Sequence, residues 1–117
     1  MLQKLDERNR DLVVNVNGRL LARDEAGVSP FDSVVQGGDA VWEGLRLYRG
    51  RIFRLEQHLD RLVNSAKALA FEGIPSRDSI VNEIRRTLAP KRKVDRVQIR
   101  LTLTRDVKIT SAMDPRL

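Results

Sequence analysis

The alternation of apolar and polar positions predicts two β-hairpins in the first half of the chain. Asn17-Gly18 interrupts an apolar run that begins at Leu12, and Arg49-Gly50 interrupts a second run further along. Asn-Gly favours a type I′ turn because both of its central residues must adopt a positive φ. We therefore expect two antiparallel strand pairs in this part of the chain.

Two later segments have the apolar spacing of helices. In the first, one face collects Leu55, Leu59, Leu62, Val63, Ala66, Leu69 and Ala70. Gly73 is placed to end this helix, because glycine readily adopts the left-handed conformation at a helix end. The second helix begins after the N-cap Ser76 and ends by Pro90. Its apolar stripe consists of Ile80, Ile84 and Leu88.

The last predicted element is a strand over Val97–Thr104, where apolar and polar residues alternate. Earlier in the chain, Pro30 predicts an irregular segment at Val28–Asp32. Strands joined by hairpins, then a helical pair and a further strand, predict an α+β fold in which an antiparallel sheet packs against helices. The length of 117 residues suits one domain with a single core.

Composition excludes several classes of protein. The absence of cysteine excludes disulfides, thiolate metal sites and a cysteine nucleophile, and it agrees with a cytoplasmic location, which we expect. The opening residues carry acidic groups and no apolar stretch of signal-peptide length. No apolar run approaches the roughly 20 residues of a membrane helix. We therefore expect no membrane partner.

The net charge of +6 arises in one part of the chain. Residues 1–83 hold 12 basic and 13 acidic side chains, whereas residues 84–108 hold nine basic and two acidic ones. The centre of this basic patch, residues 90–93, joins a helix to a strand. A solvated turn explains it most simply, and a phosphate contact is the alternative. A small nucleic-acid-binding module is accordingly one functional hypothesis, although the exposed aromatic platform typical of single-strand binders is missing.

Three groups of residues carry candidate chemistry, and each has a plain structural explanation as well. Arg61 lies with His58 and Ser65 along one flank of the first helix, where an arginine is ordinarily a solvated surface residue. Trp42-Glu43-Gly44 follows a glycine-rich bend, where a tryptophan is ordinarily a core aromatic. Arg100 lies on the polar parity of the last strand, as a solvent-facing cation would.

The order of these motifs carries a resemblance to a known family. Residues 29–32 read Ser-Pro-Phe-Asp, residues 37–46 read Gly-Gly-Asp-Ala-Val-Trp-Glu-Gly-Leu-Arg, and residues 54–62 read Arg-Leu-Glu-Gln-His-Leu-Asp-Arg-Leu. From about Val14 to about Arg105 the chain resembles the N-terminal domain of the fold-type IV pyridoxal-phosphate enzymes. That family includes branched-chain aminotransferases, D-amino-acid aminotransferases and aminodeoxychorismate lyases.

The resemblance implies a cofactor-binding role for Arg61. In the family, the arginine of a His-x-x-Arg pattern on this helix binds the phosphate of pyridoxal 5′-phosphate, and residues 58–61 match that pattern. A guanidinium suits phosphate because it stays charged and offers a planar set of paired donors. His58 is implied to hold the arginine or to pack at the helix flank.

The resemblance also implies substrate contacts. An aromatic directly before Glu-Gly lies in the family's substrate pocket, which assigns Trp42 and Gly44 to substrate binding. Many members have tyrosine at the position of Gly37, so this pocket lacks one phenol ring and Trp42 can fill part of that volume. Branched-chain aminotransferases carry an arginine matching Arg100, and D-amino-acid aminotransferases carry one matching Arg105. Both matches are present, so both arginines are candidates to bind a substrate carboxylate.

No lysine in the chain has the context of the family's Schiff-base lysine, which lies in a second domain. We therefore expect residues 1–117 to form the N-terminal small domain of a class IV aminotransferase, with no catalytic residue and no metal site of its own. The resemblance implies a homodimer that moves an amino group from an amino acid to a 2-oxo acid, with the branched-chain type favoured, and no nucleic-acid partner. An aminodeoxychorismate lyase, which eliminates pyruvate, remains the alternative within the family.

Overall fold

The computed structural model describes residue 4, residues 6–91 and residues 95–106. These residues form two antiparallel sheets and three α-helices, with short 3-10 helices at Glu7–Asn9, Arg23–Glu25 and Ala89–Lys91. In chain order the elements are β1 (Val13–Val16), β2 (Arg19–Ala22), α1 (Ser33–Gly37), β3 (Ala40–Tyr48), β4 (Arg51–Ile52), α2 (Leu55–Ala68), α3 (Arg77–Leu88) and β5 (Val97–Thr104). The predicted α+β fold is confirmed.

Both predicted hairpins are present. Asn17 and Gly18 connect β1 to β2 with φ values of 53° and 87°, and Arg49 and Gly50 connect β3 to β4 with φ values of 48° and 77°. Positive φ at both central residues matches the type I′ turn, whose twist suits paired strands. The second hairpin belongs to a three-stranded sheet with the order β4-β3-β5.

The long strand β3 gives this sheet one packed face and one open face. Its burial alternates, so that Val41, Glu43, Leu45 and Leu47 point inward while Trp42, Arg46 and Tyr48 point outward. The predicted strand at Val97–Thr104 is confirmed as β5, which pairs antiparallel with β3 along its length. Trp42 therefore lies opposite Thr102, and Gly44 opposite Arg100.

The core lies between this sheet and the helices α2 and α3. Its buried members are Val41, Leu45, Leu59, Leu62, Ala66, Phe71, Ile80 and Ile84. A fully buried leucine contributes roughly 1.5–3 kcal/mol, which makes the leucines of α2 major anchors of the helix on the sheet. Ser76 is the N-cap of α3, as predicted, and its hydroxyl accepts a hydrogen bond from the backbone N–H of Ser79 at 3.1 Å.

The prediction that Gly73 ends the first helix is wrong, because α2 ends at Ala68. Ala70 adopts a φ of 57°, and the N–H of Phe71 donates to the carbonyl of Ala66 at 2.9 Å. This is a Schellman-type reversal with alanine at the left-handed position. It turns the chain early enough for Phe71, which is 7% exposed, to enter the core.

A short helix after the proline-containing turn was not predicted. Asp32 is the N-cap of α1 and accepts a hydrogen bond from the N–H of Val34 at 2.9 Å, and Gly38, with a φ of 67°, ends the helix. Asp32 and Ser33 are both buried. Of the predicted basic turn at residues 90–93, Lys91 ends a 3-10 helix, whereas Arg92 and Lys93 lie outside the described residues.

Candidate functional site

A buried carboxylate on β3 binds the arginine of α2. Glu43 is 4% exposed and points from the sheet toward the helix. The Nε of Arg61 donates to both carboxylate oxygens at 3.0 Å, and Nη2 donates to Oε1 at 2.7 Å. Charge-assisted bonds of this paired kind fix the plane of the guanidinium as well as its position.

His58 joins the same carboxylate. Its Nδ1 lies 2.7 Å from Oε1 of Glu43, and its spacing from Arg61 along α2 places both side chains on one helix face. The hydrogen bonds from Arg61 outweigh the opposing effect of burial and lower the pKa of Glu43 below its ordinary value of 4.5, and His58 adds to this lowering. The same pairing raises the pKa of Arg61. The carboxylate and the guanidinium are therefore both charged at neutral pH.

The outer side of Arg61 faces solvent. Its side chain is 67% exposed, and none of the described residues accepts a hydrogen bond from Nη1. Arg61 borders a shallow cleft on the outside of α2, which is largely open to solvent. The cleft is lined by Gln57, Asp60, Arg61, Asn64, Ser65 and Ala68. Guanidinium donors beside amide and hydroxyl groups fit a phosphate, and the Asp60 carboxylate of the same cleft is paired with Arg77.

The open face of the sheet brings together three other predicted site residues. The guanidinium of Arg100 lies over the indole of Trp42, with its Cζ 4.2 Å from the ring centroid. A Cβ added at Gly44 would lie 3.7 Å from Cζ3 of Trp42, so the indole extends along β3 above the glycine. Trp42 is 56% exposed. The tryptophan is therefore a surface aromatic with a cation stacked on it, and not a core residue.

Arg105 lies elsewhere, directly after β5, and its donors are engaged. It forms an ion pair with Asp39, donates from Nη2 to the carbonyl of Leu69 at 2.7 Å, and donates from Nη1 to that of Ala70 at 3.3 Å. Its guanidinium also covers the ring of Phe71 at 4.7 Å. With 18% of its side chain exposed, Arg105 joins the end of β5 to the end of α2. Its contact with a substrate carboxylate stays a prediction.

The predicted site residues thus occupy three places: the outer side of α2, the open face of the sheet, and the junction after β5. Sequence reasoning did not assign a role to Glu43, although the sequence carries a signal for it. Glu43 stands at the inward parity of β3, between Val41 and Leu45. A charged residue at an inward position requires a partner, and that requirement points to the arginine on the covering helix.

Other kinds of site are not found in the described part of the chain. Lys4, Lys67 and Lys91 are all exposed there. Residues 4, 6–91 and 95–106 contain no group of three or more side chains suited to holding a metal ion. Among the same residues, no helix has the length and apolar character needed to cross a membrane.

Comparisons with known proteins identify the family of the chain. Residues 40–116 match the family described as amino-transferase class IV. The chain is 55% identical over 107 residues to branched-chain-amino-acid aminotransferase-like protein 1 of Arabidopsis thaliana, covering 92% of this chain and 19% of the relative. It is 36% identical over 103 residues to a putative branched-chain-amino-acid aminotransferase of Methanocaldococcus jannaschii, covering 88% and 35%.

A solved structure shares the fold of this chain. The branched-chain aminotransferase of the thermophilic archaeon Thermoproteus uzoniensis, in its crystal structure with norvaline, superposes with a TM-score of 0.70 at 25% identity, covering 86% of this chain and 35% of that one. The architecture is therefore that of the N-terminal domain of fold-type IV aminotransferases. The chain belongs to the amino-transferase class IV family. It spans about a fifth of the length of the Arabidopsis relative and about a third of the Methanocaldococcus one.

Proposed function

We propose that this chain is the N-terminal domain of a pyridoxal-phosphate-dependent aminotransferase of the branched-chain type. The protein would transfer an amino group from an amino acid to a 2-oxo acid, act as a homodimer and reside in the cytoplasm. The observation that supports this most strongly is the guanidinium of Arg61, which is held by Glu43 on one side and open on the other. The plant and archaeal relatives favour the branched-chain class.

The residues of this chain fit the phosphate end of the cofactor. Arg61 would bind the phosphate with the donors that Glu43 leaves free, beside the hydroxyl of Ser65 and the amide of Asn64 in the same cleft. When bound, the cofactor supplies an electron sink at the reacting carbon. The lysine that this chemistry requires would come from a second domain, as the resemblance to the family implies.

The open face of the sheet suits an apolar amino acid. Arg100 would bind its carboxylate, since a guanidinium stacked on Trp42 retains its edge for in-plane hydrogen bonds. The exposed indole, which extends over Gly44, would provide an apolar wall for the side chain. A carboxylate contact next to an aromatic surface suits an amino acid with an apolar side chain, and the preference for the branched-chain class rests on the relatives.

The test of this proposal is a comparison of arginine variants in the complete protein. Charge-assisted hydrogen bonds contribute roughly 1.5–3 kcal/mol each, so Arg61→Ala should weaken the affinity for pyridoxal 5′-phosphate by about tenfold or more. Arg61→Lys should recover only part of it, because a point charge does not reproduce the planar fork. The matched control is Arg85→Ala, which removes an exposed arginine of α3 that does not line this cleft. Equal affinities of the wild type and Arg61→Ala would refute the assignment.

A further inference from the structure

We propose that Glu43 is a positioning residue, which, together with His58, orients the guanidinium of Arg61 toward the cofactor phosphate. This inference rests on the proposed function, because it assumes that Arg61 binds that phosphate. It assigns to the glutamate of Trp42-Glu43-Gly44 a task separate from substrate contact. Three features support it: the burial of the carboxylate, the way in which the carboxylate divides the donors of Arg61, and the hold of His58 on the carboxylate.

Stability alone does not explain why Glu43 is buried. Its neighbours at the inward parity of β3 are Val41, Leu45 and Leu47, and the pattern calls for an apolar residue at its position. A buried ion pair is often no more stabilising than well-packed apolar side chains of similar volume. A carboxylate that is 4% exposed, and whose cationic partner lies mostly in solvent, therefore indicates a role in controlling that partner.

The contacts divide the five N–H donors of Arg61 into two sets. Glu43 takes the Nε–H and one N–H of Nη2, which leaves the two of Nη1 and the second of Nη2. A long exposed side chain otherwise loses much rotamer freedom when it binds an anion. Because the carboxylate already fixes the guanidinium plane, a phosphate would bind an arginine that is ordered in advance.

His58 fixes the carboxylate in turn. Its Nδ1 contacts Oε1, the same oxygen that accepts from Nη2 of Arg61. The imidazole is 20% exposed and lies on the inner flank of α2. Held by both groups, Glu43 has no freedom to rotate away from Arg61, so the orientation of the guanidinium is set by the packing of α2 on β3.

The negative charge of Glu43 allows a positioning effect to be distinguished from a purely electrostatic one. The Glu43 carboxylate partly neutralises Arg61, so Coulomb attraction alone predicts that removing it strengthens phosphate binding. Positioning predicts the opposite. Glu43→Gln should weaken the affinity of the complete protein for pyridoxal 5′-phosphate by about three- to tenfold, the range expected for immobilising one long side chain.

The experiment is a fluorescence titration with pyridoxal 5′-phosphate, and with pyridoxal as the probe lacking phosphate. The variants are Glu43→Gln, Arg61→Ala, the double variant, and Glu56→Gln as a control that removes an exposed carboxylate of α2. We expect Glu43→Gln to weaken binding only of the phosphorylated probe, and to have no further effect once Arg61 is alanine. Glu56→Gln should leave both affinities unchanged.

The remaining outcomes distinguish the two proposals. If Arg61→Ala weakens binding but Glu43→Gln tightens it or leaves it unchanged, the positioning role is overturned while the proposed function stands. A loss with Glu43→Gln that persists in the Arg61→Ala background also overturns it, because the effect is then a general structural one. If Arg61→Ala has no effect, the proposed function fails.

If Glu43→Gln does not fold, Glu43→Asp takes its place in the experiment. Positioning then requires weaker binding of pyridoxal 5′-phosphate although the charge is kept. Unchanged binding overturns the positioning role.

Discussion

At the scale of single residues, Arg100 and Arg105 have different surroundings. Their sequence motifs make both of them candidates to bind a substrate carboxylate. Arg100 stacks on an exposed indole, whereas Arg105 is bound by Asp39 and by the carbonyls of two residues that follow α2. A guanidinium that already has a carboxylate partner must release it to bind another, and the partner left behind is then unsatisfied. This contrast is the reason why we propose carboxylate recognition for Arg100.

Replacement of each arginine with glutamine should accordingly affect substrate binding in one case and stability in the other. We expect Arg100→Gln to raise the KM for the amino-acid substrate by about tenfold or more, since a charge-assisted pair is lost, with little effect on stability. Arg105→Gln should lower the free energy of unfolding by about 2 kcal/mol. Steady-state kinetics and urea unfolding of both variants measure the two effects, and the reverse pattern would contradict the assignment.

The pairing of Glu43 also predicts how stability depends on pH. Its pKa in the folded protein lies below the ordinary 4.5, chiefly because Arg61 donates hydrogen bonds to it. The unfolded chain therefore takes up this proton first as the pH falls. The contribution of Glu43 should be complete above about pH 5 and should disappear as the pH falls through the lowered pKa. Urea unfolding of wild type and Glu43→Gln from pH 7 to about pH 3 measures it. A stability difference that does not vary with pH would contradict this cause.

At the scale of elements, the sequence predicted the elements that local rules determine. Asn17-Gly18 requires positive φ at both positions, and Ser76 offers a hydroxyl to an otherwise unpaired N–H, so both could be identified without tertiary information. The end of α2 could not be identified in this way. It is determined by the burial of Phe71 and by a guanidinium from beyond β5, which are contacts between segments remote in sequence.

The end of α2 offers a test at this scale. Ala70 adopts a left-handed conformation that disfavours any residue with a Cβ. Ala70→Gly should raise the free energy of unfolding by about 0.5–1 kcal/mol, the steric relief being partly offset by the greater entropy of the unfolded chain. Chemical unfolding measures the change. The control is Ala68→Gly, at the last residue of the helix, which should destabilise by a similar amount. A destabilising Ala70→Gly would show that this helix end is not strained.

At the scale of the whole molecule, two arginines of the basic patch of residues 84–108 are bound to other elements of the fold. Arg86 pairs with Glu83 and donates to the carbonyl of Gly18 in the β1–β2 hairpin. Arg105 pairs with Asp39 inside the fold. Part of the positive charge is therefore used to connect elements, and the absence of a nucleic-acid partner stays a prediction. Sequence composition could locate the charge but could not show which cations already have partners.

The alternation along β3 places adjacent residues on opposite faces of the sheet. Trp42 belongs to the open face and Glu43 to the helix side, with only a peptide bond between them. A substitution at position 42 can therefore reshape one face while the other keeps its residues. A single insertion or deletion within the strand would exchange the faces of all side chains on one side of it, because side chains alternate between the faces. A substitution in β3 therefore affects one face of the sheet, whereas an insertion or deletion affects both faces.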